Sequence, residues 1–445
     1  MPDPRELAER LRRELHRIRR PAHGFWGSRL SLLLGLTLAG VGVLGAAVWS
    51  LASGAPASGL DGTVVAGASQ RPDPSLVRSI AADFVYPGGS PRLTWPSSGR
   101  AAVEVQGMGL MGSQGPMTAP APIASITKTM TAYVVLEDHP LGPGQSGPTI
   151  TVTSTLAKLY GQAIADDESA VELRTGEQIT ELQALDAMML ASAGDVADLL
   201  AIWDKGSVGA FADEMNRRAR QLGMTGTDYT DPTGLSASTV STMADQLKLA
   251  EAVQEVPALT AIVAQSSAYV PVVGQISNIN RDLGSHGIDG IKTGTTAAAG
   301  SCLLFSAHVQ VGGRTLTVLG IVLGMPGSSG TPWTALDAAD ALAASAEGAL
   351  GTATVAAVGT PVAALVQDRH KVGELGVSTP LTVVGWPGLR YRVAVSGGPT
   401  DARLTVTQTG GSSGPGSEPL RTLPAPPKPG RKPSAAARST STGVH

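Results

Sequence analysis

Cysteine is almost missing from this 445-residue chain. Cys302 is the only one, so no internal disulfide can form. It lies in an apolar run, Cys302-Leu303-Leu304-Phe305, and reads as core rather than as a reactive thiol. The histidines are scattered, with no His-x-x-x-His or Cys-x-x-Cys spacing, which argues against a metal centre. No cofactor is implied. A strong charge of either sign is lacking too: 33 basic and 36 acidic residues leave a net −3, so there is no nucleic-acid footprint. Lysine is scarce. Only eight of the 33 basic residues are lysines, so each one is informative.

What is present begins with a basic segment at residues 1–29, where Arg5, Arg10, Arg12, Arg13, Arg17, Arg19, Arg20 and Arg29 outnumber the acids. Residues 30–52 then carry no charge at all. At ~1.5 Å per residue this run spans the ~30 Å hydrocarbon core of a membrane. A basic flank before it and a Ser/Gly/Pro flank after it predict a single-pass anchor, N-terminus cytoplasmic, with the bulk of the chain outside. A cleaved signal peptide ending near Ala55-Pro56-Ala57 is the alternative, but the apolar run exceeds the ~7–15 residues of a signal core.

Residues 53–94 read as a linker, with a short helix at Ser75–Phe84. Order is expected from Trp95. The segment 95–350 has strands at both ends and helices between. Ala101–Val105 and Thr149–Thr153 read as strands, and Ala184–Trp203 as a helical stretch interrupted at Ser192-Ala193-Gly194. Phe211–Leu222 and Thr242–Val253 read as helices, Ser301–Val311 and Arg314–Leu323 as a hairpin across Gly312-Gly313, and Trp333–Leu350 as a last helix. This pattern implies an α/β (α+β) domain, an antiparallel sheet flanked by helices. Residues 351–409 read as a small all-β domain, with strands at Thr354–Val358, Leu381–Val384, Leu389–Val395 and Arg403–Gln408. Trp386 is expected in its core rather than as a glycan platform. Residues 410–445 are Gly/Ser/Pro-rich and read as a disordered tail.

The chemistry centres on Pro122–Tyr133. Ser125 and Lys128, three apart at a helix start, share one face, so an amine stands beside a hydroxyl and can take its proton. Ser-x-x-Lys alone is a common spacing. Lys292-Thr293-Gly294 is rarer, and it precedes an apolar strand, as an edge strand beside a pocket would. Lys292 could serve as the neighbouring cation that lowers the pKa of Lys128, and it could attract a substrate carboxylate. Thr293 and Thr295 add hydroxyl donors. The amides of Ser125 and Thr295 could form an oxyanion hole.

These motifs resemble those of the serine penicillin-binding and β-lactamase superfamily, and within it the low-molecular-mass D-alanyl-D-alanine carboxypeptidases, in an actinobacterial-like form. The resemblance extends through Phe211…Met215-Asn216…Leu222-Gly223-Met224, Asp231-Pro232-Thr233-Gly234-Leu235, Ser241-Thr242-Met243-Ala244-Asp245, Asn278-Ile279-Asn280 and Gly290–Thr296. It implies that Ser125 is acylated by D-Ala-D-Ala stem peptides of peptidoglycan, and by β-lactams. It implies that Lys128 is the base, that Ser192 relays a proton to the leaving amine, and that Lys292, Thr293, Gly294 and Thr295 bind substrate. No Glu-x-x-Leu-Asn follows the second motif, which disfavours a class A β-lactamase. Asp198 and Asp204 read as solvated-face or capping residues.

One position departs from the family pattern. The second motif is Ser-x-Asn, and here it is Ser192-Ala193-Gly194. Gly194 cannot bond Lys128 or the substrate. Asp195 could swing in, a water could fill the space, or the protein could be an impaired, wall-binding or scaffold homologue. Asparagine at 194 is expected to raise the acylation rate.

Overall fold

The computed structural model describes residues 73–326, 331–411 and 416–423. The expected basic segment and apolar run at 1–52 lie outside the described residues. Among the described residues, no helix is long and apolar enough to cross a membrane.

Two short strands come first, β1 (Ser75–Arg78) and β2 (Asp83–Val85), then the hairpin β3 (Arg100–Val105) and β4 (Gly109–Gln114). A short β5 (Ala121–Pro122) leads into a 3-10 turn at Ala124–Thr127 and helix α1 (Lys128–Asp138). Next come β6 (Thr149–Thr151), α2 (Ala157–Ala165), β7 (Gln178–Thr180), α3 (Glu181–Leu190), α4 (Gly194–Lys205) and α5 (Val208–Gln221). They are followed by β8 (Val240–Ser241), α6 (Met243–Gln254), α7 (Pro257–Val263), β9 (Ser267–Val270) and β10 (Gly274–Ser277). The long strands β11 (Ile288–Thr296), β12 (Gly300–Val311) and β13 (Arg314–Met325) precede α8 (Trp333–Ala349).

The main sheet is antiparallel, in the order β11-β12-β13-β3-β4. Its strands are apolar on both faces because both are covered, and the period of two sorts the residues. Cys302 and Leu304 on β12, and Leu319, Ile321 and Leu323 on β13, pack with the helices α1 and α3–α7. Leu303, Phe305 and Ala307, with Val318 and Val322, pack on Ala335, Leu336, Ala339, Leu342 and Ala343 of α8. Phe305 is fully buried, worth roughly 1.5–3 kcal/mol. Gly320 lies under its ring, where a Cβ would meet Phe305 Cζ at 2.1 Å. The expected sheet-and-helix architecture therefore forms, and α1 runs through the middle of the helical half with Met130, Ala132, Val134 and Val135 all buried.

The second unit of architecture differs from expectation. It contains β14 (Gly351–Ala356), β15 (Pro361–Gln367), β16 (His370–Val377), β17 (Leu381–Gly385), β18 (Arg390–Ser396), β19 (Arg403–Gln408) and β20 (Gly416–Thr422). Its seven-stranded sheet runs β1-β15-β16-β20-β19-β18-β2. Residues 75–85, expected as linker with a short helix, are thus two strands at its edges. Four and three residues are too few to show a period against a Ser/Gly/Pro background. Residues 416–422, expected in the tail, are also a strand of this sheet. The β15–β16 hairpin was hidden because its turn uses Asp368 and Arg369 at φ 49 and 66, not the Asn-Gly or Asp-Gly that announce such turns. Trp386 is buried against the cluster that contains α8, at the join between the two parts rather than inside the appendage core.

Candidate active site

Ser125 stands on the 3-10 turn ahead of α1. The preceding Ala124 has a positive φ of 49. The turn Asp231–Gly234 presses on it: a Cβ on Gly234 would sit 1.9 Å from the Ala124 carbonyl oxygen. Asp231 holds that turn, its Oδ1 accepting from the amide of Thr233 at 3.2 Å and its Oδ2 from that of Ser236 at 2.7 Å. Thr131 ties it to α1 by donating to the Pro232 carbonyl at 2.6 Å.

Lys128 is fully buried, and its Nζ lies 2.9 Å from Ser125 Oγ, 2.9 Å from the Thr233 carbonyl oxygen and 3.1 Å from Glu168 Oε1. A neutral amine has two N–H bonds and one lone pair. With the two N–H groups on Thr233 and Glu168, the lone pair faces the serine hydroxyl. An ammonium would instead donate to all three.

The edge strand β11 borders the serine turn. Gly294 allows this, since a Cβ there would come within 2.9 Å of the Ser125 amide nitrogen and 3.0 Å of that of Ile126. Lys292 on the same strand is buried and donates to the Thr293 carbonyl at 3.1 Å. Burial, and then the charge of Lys128, hold its amine well below the ordinary lysine range. Thr293 is buried, and Thr295 Oγ1 is buried without a partner.

The break between α3 and α4 carries Ser192, nearly buried and at φ 60. Two residues on, Gly194 begins α4. The volume its side chain would take is occupied, since a Cβ would lie 2.0 Å from Glu168 Cδ and 2.1 Å from its Oε1. This corrects the expectations that a water fills the space and that asparagine at 194 raises the rate, because either must displace Glu168. Asp195 does not swing toward Lys128. Its Oδ1 accepts from the Val171 amide at 3.1 Å, and burial pushes its carboxyl up to about 7. The carboxylate that meets Lys128 therefore comes from Glu168, which the sequence reading missed. In Asp166-Asp167-Glu168 it looks like part of a solvated acidic loop. The one available signal was indirect: a lysine without its usual neighbour needs another.

Two further expectations are corrected. Asp198 is not on a solvated face; burial, with Glu168 and Asp231 nearby, pushes it up to about 7. Asp204 is buried, bonded to His139 at 2.9 Å and near Lys205 at 3.6 Å. Cys302 is buried as expected, and burial pushes its thiol up to about 11.

Comparison with known proteins follows the same lines. A family model described as D-alanyl-D-alanine carboxypeptidase matches residues 112–325. A D-alanyl-D-alanine endopeptidase of Pseudomonas aeruginosa is 31% identical over 258 residues, covering 55% of this chain and 78% of that protein. A D-alanyl-D-alanine carboxypeptidase of a Streptomyces species is 31% identical over 217 residues, covering 45% of this chain and 71% of that protein. Among solved structures, a peptidoglycan synthesis regulatory factor (PBP3) from Streptococcus pneumoniae superposes with a TM-score of 0.55 at 19% identity, covering 75% of this chain and 99% of that one. At that identity the likeness concerns the fold.

Proposed function

The chain belongs to the D-alanyl-D-alanine carboxypeptidase family of penicillin-binding-protein-like serine hydrolases, and from that premise we propose that it is a serine-type D-Ala-D-Ala carboxypeptidase. It removes the terminal D-Ala from peptidoglycan stem pentapeptides through an acyl-enzyme on Ser125, and so limits cross-linking. The observation that carries this reading is Lys128 Nζ at 2.9 Å from Ser125 Oγ, beside an edge strand that only glycine at 294 lets so close.

In this reading the proton of Ser125 passes to Lys128 as Oγ attacks the carbonyl carbon. The amides of Ser125 and Thr295 receive the developing oxyanion. Ser192 relays a proton to the departing D-Ala amine, and water then cleaves the ester. The unpartnered Thr295 hydroxyl, with Thr293 and Lys292, receives the terminal carboxylate. Penicillins acylate the same serine. Residues 30–52 anchor the chain in the cytoplasmic membrane, with the catalytic part outside.

A second reading, a wall-binding or scaffold homologue with impaired turnover, is favoured by the missing side chain at Gly194. A fluorescent penicillin and a stem pentapeptide separate the two. The first reading expects covalent label on the full chain, none on Ser125→Ala, and D-Ala release. Label without D-Ala release supports the second reading, and no label on the wild-type chain refutes the first.

A further inference from the structure

Glu168 is held in place by more than its pair with Lys128. Helix α2 ends in a paired C-terminal motif: the Asp167 amide donates to the Ile164 carbonyl at 3.3 Å, and the Glu168 amide to that of Ala163 at 2.9 Å. Asp167 supplies the left-handed residue this motif needs, at φ 57. Immediately after, the Gly194 amide donates to the Ser169 carbonyl at 2.8 Å, and Asp195 accepts from Val171. The segment is therefore clamped to the first turn of α4 at Gly194, the residue that lacks a side chain, and at the residue after it. Its carboxylate is only 11% exposed, and a desolvated carboxylate without a partner would be costly. Lys128 is that partner.

We propose that Glu168 completes a proton relay, Ser125–Lys128–Glu168, and that glycine at 194 is the opening this relay requires. The proposal rests on the acyl-enzyme reading above. As Ser125 Oγ forms its bond to the carbonyl carbon, its proton moves to Lys128 Nζ while an N–H proton of Lys128 moves to Glu168 Oε1. The carbonyl electron pair goes to oxygen. Lys128 has the same charge before and after, and Glu168 becomes neutral. When the C–N bond breaks, Lys128 supplies a proton through Ser192 to the amine, and Glu168 returns its own to Lys128. A lysine paired with a carboxylate thus need not be neutral at rest in order to serve as a base. Glu168 acts through Lys128, so it is a positioning and proton-holding residue rather than one that touches substrate.

The titratable neighbours of this relay are Asp195 and Asp198 on α4, Asp231 in the turn over Ser125, and Lys292 on β11. All remain in the variants that test it. Second-order acylation of the full chain by a fluorescent penicillin is measured across pH for wild type, Glu168→Gln, Gly194→Ala and the double variant. Glu168→Gln keeps the shape and removes the acceptor, so the rate should fall about 10²-fold. Its pH profile should also change shape, because the proton from Ser125 then has no carboxylate to pass to. Gly194→Ala adds one methyl where the carboxylate lies and should cause a similar loss, with no further loss in the double variant.

A Glu168→Gln rate within threefold of wild type with a superposable pH profile overturns the relay, as do single losses that multiply in the double variant. Melting curves check folding. Alanine suits the first turn of a helix, so Gly194→Ala decides the matter if Glu168→Gln does not fold. A wild-type chain that takes no label sinks the acyl-enzyme reading and the relay with it. A labelled wild type with an equally labelled Glu168→Gln sinks the relay alone.

Discussion

Alanine at 294 should slow acylation of Ser125 by about tenfold while leaving the protein folded. An added Cβ would stand 2.9 Å from the Ser125 amide nitrogen and 3.1 Å from Ala124 Cβ, where ordinary contact begins at 3.4 Å. The first two atoms it meets are backbone, so no side chain can swing aside. Strand β11 and the serine turn must separate by about 0.5 Å. A misplacement of ~1 Å costs roughly 10²-fold in rate, so half of that costs about tenfold. Overpacking of this kind costs roughly 1–3 kcal/mol, or a melting temperature lower by a few to about ten degrees. The assay pairs second-order penicillin acylation with thermal unfolding on the same preparation. A Gly294→Ala chain that acylates within twofold of wild type and melts at the same temperature would refute the claim that glycine is needed for this approach.

Three other outcomes are expected. Lys292→Met keeps the volume and removes a buried amine held well below its ordinary pKa. The wild-type group contributes stability above its unfolded value, near pH 10.5, and loses it as pH falls; the variant should therefore gain on wild type at pH 7 relative to pH 10, while binding of a carboxylate-ended substrate weakens at least tenfold in KM. Asp195→Asn should be more stable than wild type at pH 8, by at most about 4 kcal/mol, with the difference gone below pH 4. The Asp195 carboxyl is raised from 3.8 to about 7, so its contribution is present at low pH and lost as pH rises through 7, which unfolding curves at several pH values would show. Trp386→Ala should cost about 3–5 kcal/mol and should split calorimetric unfolding into two transitions, since that ring is buried where appendage and α8 meet.

The helical half and the long strands were legible because their apolar periods repeat over long runs. Ser301–Val311 and Arg314–Leu323 agree closely with β12 and β13, and the break at Ser192–Gly194 falls where α3 gives way to α4. Helix α2 was not seen, and its C-terminal turn carries the carboxylate that matters. No local pattern marks Glu168. Its place beside Lys128 is opened by an absence 26 residues later, at Gly194, and only the folded chain brings the two together. Ser125, Lys128 and Lys292 stand out in the sequence because each belongs to a short motif with its own spacing. A far greater distance in sequence hid β1 and β2, whose partners β15 and β18 lie hundreds of residues away.

Those two strands also set how force enters the molecule. Whatever precedes residue 73 is attached first to β1, which runs antiparallel to β15 from Ser75 opposite Val366 to Arg78 opposite Ala363. The serine-bearing half leaves this sheet after β2 and returns to it after α8, so both its ends hang from the appendage. Tension along the chain from its N-terminal side is therefore met by the β1–β15 ladder before it reaches Ser125. One sheet therefore holds the serine-bearing half from both sides, through β1 and β2 before it and β15 after it.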